Sequence, residues 1–372
     1  MLDSPIKDHF PEMSDPRDEN KRHKLIDIIF ITICAVICNA DKWEDVEDFG
    51  KAKYWWLKRY LELPHGIPAH DTFNRVFAKL NPEEFNKRFV DWVKSLSPLN
   101  EEEIVNLDGK TVRHSFDTNT DSPAIHMVSA WANEAGMTLR QIKVEEKSNE
   151  ITAIPELLDL LELEGCVVTI DAMGTQKTIA EKIIDKNANY LLALKGNQGT
   201  LKEDVELYFE GIDEKHYDRG VFDYNKQFEK DHGRIEIREC WSTEQIEWLS
   251  QKEEWKNLQS ISLLRSTRII DDIETTEDRL YISSLPANAE KHNYIIRKHW
   301  GIENSLHWVL DMSFDEDRCR KRKNHSAENF AIVRHVALNI LKKEKSSKLS
   351  IRRKRLVAGW NPDYLEKLIF DA

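Results

Sequence analysis

Two aspartates stand where the hydrophobic pattern predicts the interior of a sheet. Asp108 lies within IVNLDGKTV (104–112), between Leu107 and Gly109-Lys110, and Asp171 lies near the end of the apolar run CVVTIDA (166–172). The segments around them follow an order that few architectures accept. Residues 104–112, 125–132 (IHMVSAWA) and 137–146 (MTLRQIKVEE) read as strands, and the turn-prone NEAG at 133–136 joins the last two, which predicts an antiparallel meander. A capped helix is then expected from Ser148 to about Leu163, followed by the buried strand 166–172, a helix TQKTIAEKIIDK (175–186) and another buried strand NYLLALK (189–195). Strand and helix alternate there, so these strands are expected to be parallel.

The succession βββαβαβ is that of an RNase H-like α/β fold: a mixed sheet flanked by helices, with acids at neighbouring strand ends. Around it the texture changes. From Asn20 to about Ser97 the apolar residues recur at helical spacing in KLIDIIFITICAVIC, WEDVEDFGKAKYWWLKRYL and PEEFNKRFVDWVKSL. Pro64, Gly66 and Pro68 break that pattern, and His70-Asp71-Thr72 offers cap chemistry for the next helix. The segment DTFNRVFAKL suits either a DNA-reading helical pair or an arm of a bundle, and periodicity favours the bundle. Between about 200 and 290 a charged helix, LKEDVELYFEG, precedes strands RIEIRECWS (234–242), LQSISLLRSTRII (258–270) and DRLYISSL (278–285), a largely β insertion. The chain turns helical again from about Asn293. The expected division is an all-helical N-terminal domain over 1–98, the sheet domain over 99–345, and a basic tail over 346–372.

The formal charge of −12 on 372 residues conceals an asymmetry. Between Arg318 and Arg355 fourteen Lys or Arg face only Glu328 and Glu344, a local +12 that leaves −24 elsewhere. A polyanion could bind such a run, although solvated faces read the same way. The five cysteines are scattered without a CxxC pair, which argues for reduced core thiols rather than disulfides or zinc. The longest apolar run, Leu25 to Cys38, contains Asp27 and is shorter than the roughly 20 residues of a membrane span. No secretory pattern is visible at the N-terminus, so a cytoplasmic location and no membrane partner are expected.

A carboxylate buried without a partner is costly, so Asp108 and Asp171 must each be capped, ion-paired or bound to a metal. Two on adjacent strands repel each other and favour a cation between them, and hard carboxylate oxygens favour Mg²⁺ or Mn²⁺. Phosphodiester chemistry uses such ions in pairs, one activating the attacking oxygen and one stabilising the leaving oxygen. A third acid is harder to select. Glu303 sits one turn from His299 and one turn from His307, so a continuous helix would project all three from one face, an arrangement that also admits zinc. Asp311, Asp315, Glu316 and Asp317 follow closely, and spacing alone does not choose among them.

At GIPAHDTFNRVF (66–77), NLDGKTVRHS (106–115), TIDAMGTQ (169–176), YLLALKGNQ (190–198), DHGRIEIRE (231–239) and HWGIENSLHWVLDMSFDEDRCR (299–320) the chain resembles the bacterial insertion-sequence transposases of DDE type, most closely their H-repeat-associated group, over nearly its whole length. The resemblance implies that Asp108, Asp171 and Glu303 are the catalytic metal ligands, holding two Mg²⁺ ions or Mn²⁺ in their place. It implies cleavage at the ends of the element and transfer of the freed 3′-hydroxyl into target DNA. The partners implied are double-stranded DNA, both terminal repeats and target, and a second copy of the chain, since two ends must be brought together.

The family's third-acid motif, Tyr-x2-Arg-x3-Glu-x6-Lys, keeps only its Glu here, with Ile296, His299 and Leu310 at the other positions. The segment LKGNQ suggests Lys195, Asn197 and Gln198 near the substrate strand. Lys110, His299, Arg318, Arg320 and Arg322 complete the candidate DNA contacts. Two other readings share these acids: a domesticated DNA-binding protein that no longer transposes, and an RNase H-like nuclease without strand transfer.

Overall fold

The computed structural model describes residues 10, 13–18, 21–96, 99–116, 123–145, 149–210, 212, 220–231 and 233–370. The junction expected at 98 and the cap expected at Ser148 lie outside them. The first helices are α1 (Leu25–Ile37), α2 (Trp43–Ala52), α3 (Tyr54–Leu57), α4 (His70–Lys79) and α5 (Pro82–Leu96). Helix α1 is buried nearly all round, as its continuous apolar sequence requires, and even Asp27 is inside. No helix among the described residues is long and apolar enough to cross a membrane. Helix α4 buries Phe73, Val76 and Phe77 as an arm of the bundle. Its N-terminus is not capped by its own residues: Glu47, from α2, accepts from His70 N at 2.6 Å.

The sheet begins with β1 (Ile104–Thr111), β2 (His126–Ala132) and β3 (Met137–Lys143), followed by α6 (Glu150–Asp159), β4 (Val167–Ile170), α7 (Lys177–Asp185) and β5 (Asn189–Leu194). As expected, β1 to β3 are antiparallel neighbours, and β1, β4 and β5 run parallel. The insertion supplies α8 (Gly199–Phe209), β6 (Asp223–Asp231), β7 (Arg234–Thr243), β8 (Ser260–Ile270) and β9 (Ile273–Ser283). It continues the same sheet, because β9 pairs antiparallel with β5. Among the described residues the order is β3-β2-β1-β4-β5-β9-β8-β7-β6. Strand β6, DYNKQFEKD, has almost no apolar residue, so hydrophobic pattern could not reveal it.

The remaining elements are α9 (Ala289–His299), a short π-helical turn (Glu303–His307), α10 (Trp308–Phe314), α11 (Ser326–Lys343), α12 (Ile351–Trp360) and α13 (Pro362–Phe370). Side chains alternate across β1 and β4. Ile104, Val167 and Leu191 meet Ile295 and Ile296 of α9 in one cluster, while Val105, Leu107, Val168 and Ile170 belong to the larger core shared with α6 and α7. Helix α11 is almost wholly buried and packs on α1, α4, α5 and β3, so the N-terminal helices and the sheet share one core.

The segment expected as a tail is folded. Arg355 of α12 is fully buried, and its guanidinium donates to Val36 O (Nε 3.0 Å, Nη2 2.8 Å), to Ser313 O and to Asp41 Oδ1 (2.9 Å). Lys321, Arg334 and Lys354 are buried as well, so part of the basic run is internal. All five cysteines are free, and all but Cys38 are fully buried.

Two buried histidines give the fold a pH limit. His292 lies against the Ser242 and Ser262 hydroxyls (3.1 and 2.7 Å) and His335 against Thr138 Oγ1 (2.9 Å), and burial pushes each down to about 4. The unfolded chain therefore takes up these protons first, so this stability is present above pH about 6.5 and is lost as pH falls toward about 4. At pH 5 the loss is about 2 kcal/mol for each histidine. Urea unfolding at pH 7.5 and pH 5 should show it, with a smaller pH difference in His335→Gln.

Candidate active site

The parallel ladder between β1 and β4 pairs Leu107 with Ile170, so the next residues, Asp108 and Asp171, stand at the carboxyl side of adjacent strands. Ligands of parallel α/β sheets gather at that edge. Strand β1 is buried through Leu107 and opens toward solvent from Asp108 onward. Asp108 Oδ1 accepts from Gly109 N (2.9 Å), and Asp171 Oδ1 accepts from Met173 N (3.1 Å) and Gly174 N (3.2 Å), which turns the chain sharply after β4. Burial pushes the Asp108 carboxyl up to about 7 against the Gly109 hydrogen bond, and the negative charges of Asp171, Glu150 and Glu303 push the same way. Asp171 and Glu303, singled out from sequence, thus both act electrostatically on Asp108.

Glu150, His126 and His307 belong to the same neighbourhood, and of these only His307 stands out in the sequence, one turn from Glu303. Glu150, in the first turn of α6, holds His126 Nε2 at 2.6 Å, and the other ring nitrogen meets Thr111 Oγ1 at 2.8 Å. Both side chains lie over Gly109, where an added Cβ would strike the Glu150 carboxylate and the His126 ring. His307 Nδ1 stands 3.5 Å from Asp108 Oδ2, and burial, then Lys110, push this histidine down to about 4, so it is neutral at pH 7. No sequence signal marks Glu150 or His126, which come to Gly109 only through pairing and packing.

The acids that rival Glu303 have cations already. Lys110 Nζ contacts Asp311 (2.5 Å), Glu316 (2.9 Å) and Asp317 (3.7 Å), Glu316 also faces Arg334 (3.6 Å), and Asp317 faces Arg113 (3.4 Å). Asp315 pairs with Arg318 at 3.7 Å. Lys110, only 13% exposed, is turned toward these three acids, of which Glu316 is buried. Glu303 is exposed and makes no ion pair among the described residues.

The helix expected to run unbroken through His299, Glu303 and His307 is interrupted at Trp300 and altered beyond it. Helix α9 stops at His299, and residues 303–307 form a π turn in which Trp308 N reaches back to Glu303 O. Such single turns insert one extra residue and are frequent at functional sites. The two histidines diverge: His307 points to Asp108, while His299 is buried with Nδ1 2.9 Å from Thr169 Oγ1. That burial argues against His299 as a direct DNA contact.

Other candidates fall around the rim. Lys195 is exposed at the end of β5. Asn197 Nδ2 donates to Ala172 O (2.7 Å) and Gln198 Nε2 to Thr175 O (3.0 Å), so both amides brace the loop after Asp171. Arg318 and Arg320 are exposed, whereas Arg322 donates to His114 O (3.0 Å) and lies over the Phe116 ring. Among the described residues, no three His, Cys, Asp or Glu side chains already form a metal cage. The donor set nevertheless suits a divalent cation: hard carboxylate oxygens, excess negative charge and a neutral histidine.

The sequence as a whole is similar to that of known proteins. The profile of the transposase DDE domain matches residues 99–340, and that of the DDE_Tnp_1-associated domain matches residues 7–93. The chain is 43% identical to YncI of Escherichia coli O157:H7 over 98% of its own length and 94% of that protein. It is 40% identical to the H repeat-associated protein YhhI of Escherichia coli strain K12, over 98% and 97% of the two chains. Among solved structures, a piggyBac transposase synaptic complex with hairpin DNA is a distant likeness, 10% identical with a TM-score of 0.44 over 97% of this chain and 77% of that one. With one family profile covering most of the sheet and the helices behind it, and relatives aligned almost end to end, the chain belongs to the DDE transposases.

Proposed function

We propose that this transposase cleaves DNA at the ends of its own insertion element and joins the freed 3′-hydroxyl to target DNA, with Asp108, Asp171 and Glu303 as ligands of two divalent cations, Mg²⁺ or Mn²⁺. The observation that carries this reading is the accumulation of negative charge at one sheet edge, strong enough with burial to push the Asp108 carboxyl up to about 7. Bound there, the cations would activate the attacking oxygen and stabilise the leaving one. The chain's own part is positional. The Asp171 turn is held by its two backbone donors and braced by Asn197 and Gln198, and neutral His307 stands beside Asp108 without adding positive charge. Bringing two ends together makes a DNA-bound homodimer the working assembly, and a cytoplasmic enzyme would meet its DNA directly.

The exposed Arg318 and Arg320 are proposed as phosphate contacts. Arg318→Ala and Arg320→Ala should each lower the salt dependence of end binding by about one counterion, while Lys110→Met should leave that slope unchanged and destabilise the protein by about 3 kcal/mol. Binding isotherms from 50 to 200 mM salt, with urea unfolding of the same proteins, separate the two behaviours.

Strand transfer separates this reading from that of a simple nuclease. Purified protein would be incubated with a labelled, pre-cut element end and a supercoiled plasmid, with Mg²⁺ or with EDTA. Label joined to plasmid only with Mg²⁺ is expected. Nicking without joining would favour the nuclease, and end binding without either reaction would favour a domesticated binder.

A further inference from the structure

Beneath the acids lies a layer of hydrogen-bonded polar side chains. Along β1 and β4 the residues facing α9 alternate with the core: Ile104 pairs with Val167, then Asn106 with Thr169, and the next step on that face reaches Asp108 and Asp171. An apolar layer, a hydrogen-bonding layer and an acidic layer thus follow one another up the same face. Asn106 is fully buried, and its amide uses its full hydrogen-bonding capacity. Nδ2 donates to Lys298 O (2.7 Å) and His299 O (2.8 Å), while Oδ1 accepts from Asn133 Nδ2 (2.7 Å) and Thr169 Oγ1 (3.1 Å). Its orientation is forced, because the two carbonyls can only accept.

Those carbonyls belong to the last two residues of α9, at the helix end where backbone donors run short, and Lys298 O also receives the N–H of Trp300. The Thr169 hydroxyl gives its proton to Asn106 Oδ1 and therefore accepts from His299 Nδ1 (2.9 Å), which makes His299 the Nδ1–H tautomer of a neutral ring. A closed circuit results: the His299 ring to Thr169, Thr169 to Asn106, and Asn106 back to the His299 carbonyl. Gly301 completes it, since an added Cβ would collide with Asn133 Oδ1. Two residues later the chain reaches Glu303 and the π turn.

We propose that Asn106 and Thr169, acting through His299, are positioning residues for the third acid: they fix where α9 stops, and so set Glu303 against Asp108 and Asp171. Packing alone would not do this, because Ile295 and Ile296 could slide over the apolar layer, whereas directed hydrogen bonds to two specific carbonyls fix both rotation and translation. Displacing a catalytic group by about 1 Å costs about a hundredfold in rate. The inference rests on Glu303 being the third ligand.

The test measures single-turnover cleavage of a labelled duplex carrying the element's terminal repeat, pre-bound to full-length protein with Mg²⁺, and end affinity separately by fluorescence anisotropy. Thr169→Val keeps the shape and loses the hydroxyl, Thr169→Ser keeps the hydroxyl, Asn106→Ala removes the hub, and Glu303→Gln serves as reference. Thr169→Val and Asn106→Ala should slow cleavage by about a hundredfold with affinity within about twofold of wild type, and Thr169→Ser should recover to within about threefold. If Asn106→Ala does not fold, as circular dichroism would reveal, the Thr169 pair carries the comparison. Wild-type cleavage by Thr169→Val, no recovery in Thr169→Ser, or affinity falling in step with rate would each overturn the proposal while Glu303→Gln remains inactive. Full activity in Glu303→Gln would instead remove the third acid itself, and the proposal with it.

Discussion

Asp108→Asn is expected to abolish cleavage and joining and, at the same time, to raise the stability of the metal-free protein. The carboxyl sits in a setting hostile to its charge, pushed up to about 7 first by burial and then by Asp171, Glu150 and Glu303. A folded-state value above the unfolded one means that the folded protein binds this proton more tightly, so ionisation at pH 8 opposes folding by up to about 4 kcal/mol. Asparagine keeps the shape without the charge and relieves that opposition. Cleavage should fall by at least about 10³-fold. Mg²⁺ should stabilise the wild type more than the variant, because a ligand stabilises only the state that binds it. Thermal melts at pH 8 in EDTA and in Mg²⁺, beside an end-cleavage assay, read all three effects. A variant less stable than wild type in EDTA would mean that Asp108 serves the fold and not the site.

Arg355→Met is expected to cost about 3–5 kcal/mol, since it removes the guanidinium that pairs with the partly buried Asp41 carboxylate and donates to the Val36 and Ser313 carbonyls. Methionine can replace the contact with Phe314, over which the guanidinium lies at 4.1 Å, but none of the hydrogen bonds. The midpoint of urea unfolding should drop accordingly. If Arg355 were instead a DNA contact, as its place in a basic run suggests, the variant would keep its stability and lose salt-dependent affinity for DNA. The two outcomes are opposite, so one comparison decides between them.

The strands around the acids were legible because their sequences obey simple periodicities. IVNLDGKTV, IHMVSAWA and the four turn residues NEAG predict β1, β2 and the turn after them to within a residue, and the βα alternation after Asn149 predicts parallel strands. Strand β6 escaped because its residues alternate nothing apolar; what holds it is pairing with β7, a partner not visible in local sequence. The charge of the basic run was legible and its burial was not. Arg334 and Arg355 lie inside because Glu316 and Asp41, distant in the chain, meet them there.

Within the site, the two aspartates announced themselves as acids in apolar strands. Glu303 did not, and only the family resemblance selected it. The structure offers a physical criterion that spacing lacked: Asp311, Asp315, Glu316 and Asp317 all have cationic partners, and Glu303 has none among the described residues. The π turn at Glu303 was hidden because an inserted residue leaves a helical hydrophobic pattern nearly intact while re-aiming the side chains on either side of it. Glu150 and His126 were hidden for a different reason, since the glycine that admits them, Gly109, reads in sequence as an ordinary turn or strand residue.

The number of Mn²⁺ ions held by the protein bound to its end DNA, counted by electron paramagnetic resonance of free Mn²⁺, tests directly whether Asp108, Asp171 and Glu303 bind the same cations. About two ions are expected in the wild-type complex, with at least about tenfold weaker binding in each of Asp108→Asn, Asp171→Asn and Glu303→Gln. Equal Mn²⁺ binding by the wild type and all three variants would mean that these acids do not hold the cations.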